Sequence, residues 1–426
     1  QLRFNDQTFP GFGPILPFTL AVGQDFEYAY ANQANITLER QLTKNSSFSA
    51  SYVFVGAHHL PHPRDVNAPQ NNLLIENFRR FAVGNPALCG TNAACLAGGR
   101  APTSFAEAVL FPLPTANNAL FTVRIPGLVA VNNLTGLTVV SPLAANFFRP
   151  SAPNYFFVRS VTGGAVTPAV FNAAINGSVR TPGLISPFGD VSAQLSEGNS
   201  NYNAMTLEAK RRFSNNFQFL ASYTWSHSID DSSDLQTLLK PQDNRNFAAE
   251  RSDSLFDQRH RFVFSGVATS PDSWRNSESG VRRFFSNFTI APILEISSGR
   301  PFNIITGSDA NADLQSSNDR PSVAADGTLF VPPFLSTGNL RRNAGITHGY
   351  ASLDLRVARA IRFSERMRLD IIAEGFNLFN RFNEAAANPF FDVVNAHNER
   401  RGGLYYSRPT AAYDPRQFQF GLKFSF

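Results

Sequence analysis

Along the last eleven residues, Arg416-Gln-Phe-Gln-Phe-Gly-Leu-Lys-Phe-Ser-Phe426, apolar and polar side chains take turns. Phe418, Phe420, Leu422, Phe424 and Phe426 share one parity, and Gln417, Gln419, Gly421, Lys423 and Ser425 share the other. A β-strand sends successive side chains to opposite faces, so the stretch predicts a ribbon with one greasy and one wet side. In water a strand bearing a row of phenylalanines is an exposed, aggregation-prone edge. The pattern is accounted for where the greasy row meets lipid, the wet row faces a lumen and the strand closes a barrel. The rival is the edge strand of a soluble sandwich.

The same alternation recurs in pairs, each pair around a polar turn. Ala34, Ile36, Leu38 and Leu42 alternate with Asn35, Thr37, Glu39 and Gln41, and after Thr43–Ser46 come Phe48, Ala50, Tyr52 and Phe54. Met205, Leu207 and Ala209 precede Ser214-Asn215-Asn216, and Phe217, Phe219, Ala221, Tyr223 and Trp225 follow it. Phe262, Phe264, Gly266 and Ala268 pair through Pro271–Arg283 with Phe288, Ile290, Leu294 and Ile296, where Pro292 predicts a bulge or irregularity because proline cannot donate to a ladder. Leu353, Leu355 and Val357 turn at 364–366 into Met367, Leu369, Ile371 and Ala373. The expected fold is an all-β antiparallel transmembrane barrel segment of nine to ten strands filling 1–426. The short connections fall at one end, and the long ones, 61–199, 230–255, 300–347 and 381–415, fall at the other. That sorting is the asymmetry of bacterial barrels, long loops outside, and a sandwich has no reason for it.

Composition sharpens the choice. The 426 residues include 41 phenylalanines, which favours a lipid-facing surface with interfacial aromatic belts. The net charge is +5 and nearly all of the positive charge is arginine, which suits lipid phosphate; no basic helix, finger or RNA-binding signature supports nucleic acid. Cys89 and Cys95 stand close together in a loop-like stretch, and such a pair suits a small disulfide in an oxidising compartment, against two free thiols. The stretches Leu137–Ser141 and Tyr155–Arg159 predict short elements within the 61–199 loop. An odd count of nine strands, a first residue inside an outside loop, and Gln rather than Met at position 1 lead to the expectation that earlier strands are missing from this chain.

Seven segments stand out: Gly198-Asn-Ser-Asn-Tyr-Asn-Ala-Met205, Arg211-Arg-Phe-Ser214, Phe219-Leu-Ala-Ser-Tyr-Thr-Trp-Ser-His-Ser-Ile-Asp-Asp231, Phe256-Asp-Gln-Arg-His-Arg-Phe262, Ser298-Gly-Arg-Pro-Phe302, Asn318-Asp-Arg-Pro321 and Ala373-Glu-Gly-Phe-Asn-Leu-Phe-Asn380. These segments resemble the TonB-dependent transporter family of the Oar-like type. Each is weak alone, but together they run in family order from about residue 16 to the end. The resemblance covers only the C-terminal part of the family's barrel. It implies a 22-stranded whole, preceded by an immunoglobulin-type domain and a plug. It also implies a Gram-negative outer membrane with extracellular loops, lipid and lipopolysaccharide around the wall, and a TonB-type energy-coupling protein acting through the absent part. The implied function is energy-coupled uptake or export of a large solute. The alternative is a surface, adhesion or assembly protein using the strands as scaffold. The 61–199 loop and its cysteines depart from the family pattern and leave the solute open.

The candidate chemistry is sparse. Asp309, Asn311 and Asp313 have the alternate spacing of a calcium loop, but Leu314 replaces the usual glycine and no glutamate follows at the expected distance. Calcium in the 308–319 loop and plain solvated carboxylates both remain as readings. His58, His59 and His62 are close in sequence, with Pro61 breaking any regular metal spacing. Asp230 with Asp231, and Glu208 with Glu250, are carboxylates that read as lumen or rim charge before acid/base pairs. Tyr223, Trp225, Phe376 and Phe379 suit either an interfacial belt or sugar stacking. Ser, His and Asp form no nucleophile motif, so an enzyme is not expected and no cofactor beyond the calcium candidate is implied.

Overall fold

The computed structural model describes residues 19–84, 86–108, 110–112, 129–132, 137–140, 191–232, 240–364, 367–391 and 407–426. Nine strands follow one another as hydrogen-bonded antiparallel neighbours. They are β1 (Tyr30–Thr43), β2 (Ser46–Asp65), β3 (Val191–Ser214), β4 (Phe217–Asp230), β5 (His260–Thr269), β6 (Phe288–Ser297), β7 (Tyr350–Arg362), β8 (Arg368–Phe376) and β9 (Gln417–Ser425). No helix among the described residues is long and apolar enough to cross a membrane.

The register keeps two faces distinct across the whole sheet. One row runs Leu38, Ala50, Leu207, Tyr223, Phe262, Ile296 and Ala351. Another on the same face runs Phe217, Ala268, Ile290, Val357, Ala373 and Phe420. One residue along, the opposite face carries Thr37, Ser51, Thr206, Thr224, Arg261, Ser297 and Tyr350. That face is cross-linked by polar pairs: Thr37 Oγ1 donates to Ser51 Oγ at 3.0 Å, Lys210 meets Glu39 at 3.0 Å, Arg261 meets Glu295 at 2.9 Å and Arg356 meets Glu374 at 3.4 Å. On the greasy face Arg40, Arg211 and Arg359 lie only where a strand nears a short turn. Arg359 sits 5.2 Å over the rings of Phe284 and Phe288, a placement in which the stem stays in apolar surroundings while the head reaches water.

Among the described residues no second sheet covers the greasy face. Phe420 is 79% exposed, Leu38 73% and Trp225 52%. The apolar side chains among the largest fully buried ones, Phe78 and Leu74, belong to a helix in the long insertion, and the rest of that group is polar. A sandwich buries its rings between sheets. This wall turns them outward, as lipid requires.

At the short-turn end, Asn215 and Asn216 both take positive φ (50° and 66°), the geometry of a tight hairpin that asparagine tolerates. The connection between β5 and β6 spans Ser270–Asn287, longer than the spacing predicts, and holds the helical turns Asp272–Trp274 and Gly280–Phe284. Residues 365–366 of the predicted fourth turn lie outside the described residues. Pro292 produces no bulge: it pairs with Leu355 in unbroken register. The irregularity is instead a two-residue gap against β5, where Gly266 and Val267 are not laddered to Pro292 and Ala291 across from them.

At the other end β2 and β3 run 20 and 24 residues, past the predicted loop limits of 61 and 199, whereas β5 and β6 have 10 each. Beyond β2, the helix Asn71–Ala82 packs Phe78 and Ala82 against Cys89 and Cys95, which are joined by a disulfide with Cα atoms 5.5 Å apart. Leu137–Val140 forms the middle strand of a small three-stranded sheet with Leu110–Pro112 and Val129–Asn132. Tyr155–Arg159 lies outside the described residues.

The two faces make unequal demands on a charge. Leu294→Arg places a guanidinium on the greasy face of a central strand, where arginine at the bilayer midplane costs about 2–4 kcal/mol, while Ser222→Arg on the wet face should cost little. Denaturant midpoints after insertion into phospholipid vesicles should fall for the first and stay near wild type for the second. Equal shifts would contradict the assignment of faces.

Candidate functional site

The long-loop end is a polar cap whose core consists of charges rather than oil. Glu250, in the turn Phe247–Glu250, is almost fully buried and receives Arg320 through two bonds, Nη1 to Oε2 at 2.8 Å and Nη2 to Oε1 at 3.0 Å. The backbone N–H of Gln242 adds a third at 3.1 Å. Arg342 donates Nε to the Glu250 carbonyl at 2.8 Å and Nη2 to both the carbonyl and the carboxylate of Asp230 at the end of β4. Gln242 Nε2 reaches the carbonyl of Gly338, a position so tight that a Cβ would overlap the Arg320 carbonyl. Loops distant in sequence are thereby fastened to one another and to the rim.

The predicted site residues fall around this cap. Asp231 is held by Arg251 at 3.0 Å, so Asp230 and Asp231 go to different arginines and do not form a carboxylate pair. Glu208 lies mid-strand opposite Ser49 and Ser222, away from Glu250 in the cap. The three histidines do not converge: His58 pairs with Asn199 at 2.9 Å, His59 with Glu27 at 3.2 Å, and His62 stacks on Phe247 at 3.6 Å. Phe376 shares its parity with Asp370 and Glu374 and belongs to the wet face, unlike Tyr223 and Trp225 on the greasy one. Spacing alone did not reveal a compact group, His227, Asp253 and Asp257, whose ligand atoms lie within 4.8 Å of one another. Its carboxylates already face Arg259 at 3.3 Å and Arg341 at 3.6 Å.

The Asp309–Asp313 loop is wound by its own side chains. The N–H of Asp313 donates to Asp309 Oδ1 at 3.1 Å and Asn311 Oδ1 at 3.0 Å, and that of Leu314 donates to Asp309 Oδ2 at 2.9 Å. Ala312 and Leu314 take positive φ, 63° and 69°, so Leu314 occupies the turn that glycine normally fills. Sequence spacing missed Asp319, whose Oδ2 accepts from the N–H of Ala310 at 2.5 Å. Burial pushes Asp309 up to about 6; burial, and then the charge of Asp309, pushes Asp313 to about 7; burial, and then the charge of Asp313, pushes Asp319 to about 8.

A lipid-facing apolar wall, a polar inner face and a hydrogen-bonded cap together define a membrane-spanning β-barrel. Residues 4–419 match the family described as the outer membrane beta barrel domain, and the chain belongs to that family. It is a protein of the outer membrane. Among solved structures, the chain is similar to the outer membrane transporter YddB from Escherichia coli, at 9% identity and a TM-score of 0.40, over 96% of this chain and 34% of that one. It is also similar to the ferric-catecholate import receptor Fiu from K12 E. coli, at 12% identity and a TM-score of 0.36, over 94% and 28%. The ferripyoverdine receptor of the outer membrane of Pseudomonas aeruginosa gives 8% and 0.36, over 93% and 27%. The chain thus spans about a third or less of the length of these structures. No curated protein matches the chain.

Removing one partner of a buried ion pair costs about 3–5 kcal/mol because the other charge is stranded. Glu250→Ala should therefore loosen the cap and speed proteolytic cleavage between residues 298 and 349 in the membrane-inserted protein. Protection of β5 and β6 amides from hydrogen exchange should remain. Wild-type cleavage rates in the variant would show that the cap does not depend on this pair.

Proposed function

We propose that the chain is the C-terminal part of a TonB-dependent transporter barrel of the Oar-like type, passing a large solute across the outer membrane, and that it performs no catalysis. The observation that carries this reading is the pair of unpaired margins. The sheet keeps its lipid-facing and polar faces through β1 and β9, yet neither strand has a partner on its far side among the described residues. A strand edge in lipid must find hydrogen-bond partners. Closing this wall takes further strands, and a wide barrel encloses an aqueous lumen. The polar inner face supplies the lining such a lumen needs, and the ordered resemblance of segments from Gly198 to Asn380 supports the same class. In this reading the capped loops are extracellular and lie among lipopolysaccharide. Gating and contact with the energy-coupling protein belong to a plug outside this chain.

One observation favours a second reading, a surface or assembly protein on a barrel scaffold. The insertion after β2 carries its own small disulfide-linked core of Phe78, Ala82, Cys89 and Cys95, which a solute pathway does not require. The two readings part at the gene. Transport expects coding sequence upstream of Gln1 for a plug and a coupling segment, and expects loss of the energy-coupling protein to abolish the same solute-dependent growth as loss of this gene. A full-length precursor with neither segment would defeat the transport reading and leave the scaffold.

A further inference from the structure

We propose that the loop Asp309–Asp319 is a calcium site that locks the cap. The seat is an all-oxygen set: the carboxylates of Asp309, Asp313 and Asp319 and the side-chain carbonyls of Asn311 and Asn318. It contains no thiol or imidazole, and oxygen donors of this kind select hard cations over zinc, copper or iron.

Two buried oxygens point to the ligand independently of the spacing. Asp319 is 1% exposed and Asn318 5% exposed. Asp319 Oδ1 and Asn318 Oδ1 are both buried without a hydrogen-bond partner. Each is fixed at the cluster by its other atom: Asp319 Oδ2 on the N–H of Ala310 at 2.5 Å, and Asn318 Nδ2 on Asp313 Oδ2 at 3.1 Å. A buried carboxylate oxygen with no donor is costly, and a cation removes that cost. None of the three aspartates forms an ion pair among the described residues; the charges that act on Asp313 and Asp319 are those of the other aspartates. An approach for an ion exists, because Asn311 and Asp313 line a cavity of about 440 Å³ together with Gln242 and Asn244.

The donor set separates the candidate cations. Carboxylates and side-chain carbonyls on a loop suit calcium, with about six to eight flexible oxygen ligands, over magnesium with its strict octahedron. The consequence for the cap follows from the neighbours. Asn311 Nδ2 donates to the Gln242 carbonyl, Asn318 Nδ2 to that of Pro241 at 3.0 Å, and Gln242 itself holds Glu250 and Arg320. A cation between the aspartates would fix the segment on which the Glu250 network rests.

The test uses the full chain folded in detergent micelles, titrated calorimetrically with calcium chloride and, separately, magnesium chloride. One calcium per chain is expected, with magnesium weaker. The double variant Asp309→Asn, Asp313→Asn should weaken calcium binding at least about tenfold, and Asp257→Asn should leave it unchanged. Should the double variant not fold, proteolysis of the wild-type chain decides: calcium should slow cleavage within residues 304–344 and a chelator should restore it. Absence of binding at about 10 mM calcium, retention of full affinity in the double variant, loss of binding in Asp257→Asn, or cleavage indifferent to calcium would each overturn the site.

Discussion

In hydrocarbon no water waits to receive a backbone N–H or C=O, so each strand in the membrane must satisfy its neighbour's groups. This requirement organises the molecule. It forces consecutive strands into one antiparallel sheet, and it leaves the side chains free to answer a second demand, apolar on one face and polar on the other. The register meets both at once: the row from Leu38 to Ala351 is greasy, and the row one residue away, from Thr37 to Tyr350, is polar and partly hydrogen-bonded. Pro292 shows how tightly the arrangement is held. A missing donor opens a gap of two residues on one side of β6 without displacing the register on the other.

The cap is built on the opposite principle. Away from lipid, the buried residues include aspartates, asparagines, arginines and two glutamates, and few large apolar groups lie among them. A core of this kind gains little from hydrophobic burial and relies on complete pairing, because a lone buried charge costs several kcal/mol. Glu250 is satisfied on every side by Arg320, Gln242 and Arg342. Asp319 and Asn318, a few residues from that network, are not.

What the sequence disclosed divides along the same line. Alternation is a local signal with a period of two, so all nine wall strands and their faces could be read from residues such as Phe418 to Phe426 or Phe217 to Trp225. Strand ends were less legible: β2 and β3 continue through His62 and Gly198, where proline, histidine and glycine imitate loop. Phe376 read as part of an aromatic belt because aromaticity is visible in a sequence, while the one-residue step that turns it to the wet face depends on register. The cap was hardly legible. Glu250 and Arg320 are 70 residues apart, and nothing local to either predicts the other. Asp309, Asn311 and Asp313 were visible by spacing, but Asp319 completes the group only through the fold.

The unequal strand lengths give the mouth of this barrel a slant. At roughly 3.3 Å per residue, β2 and β3 rise tens of ångströms higher than β5 and β6, whose 10 residues do little more than cross the bilayer. One flank of the opening is therefore a tall parapet of sheet that carries the disulfide-tied insertion, and on the other the short strands give way to the cross-linked loops of the cap. Whatever approaches along the membrane plane meets rigid sheet from one direction and fastened loops from the other.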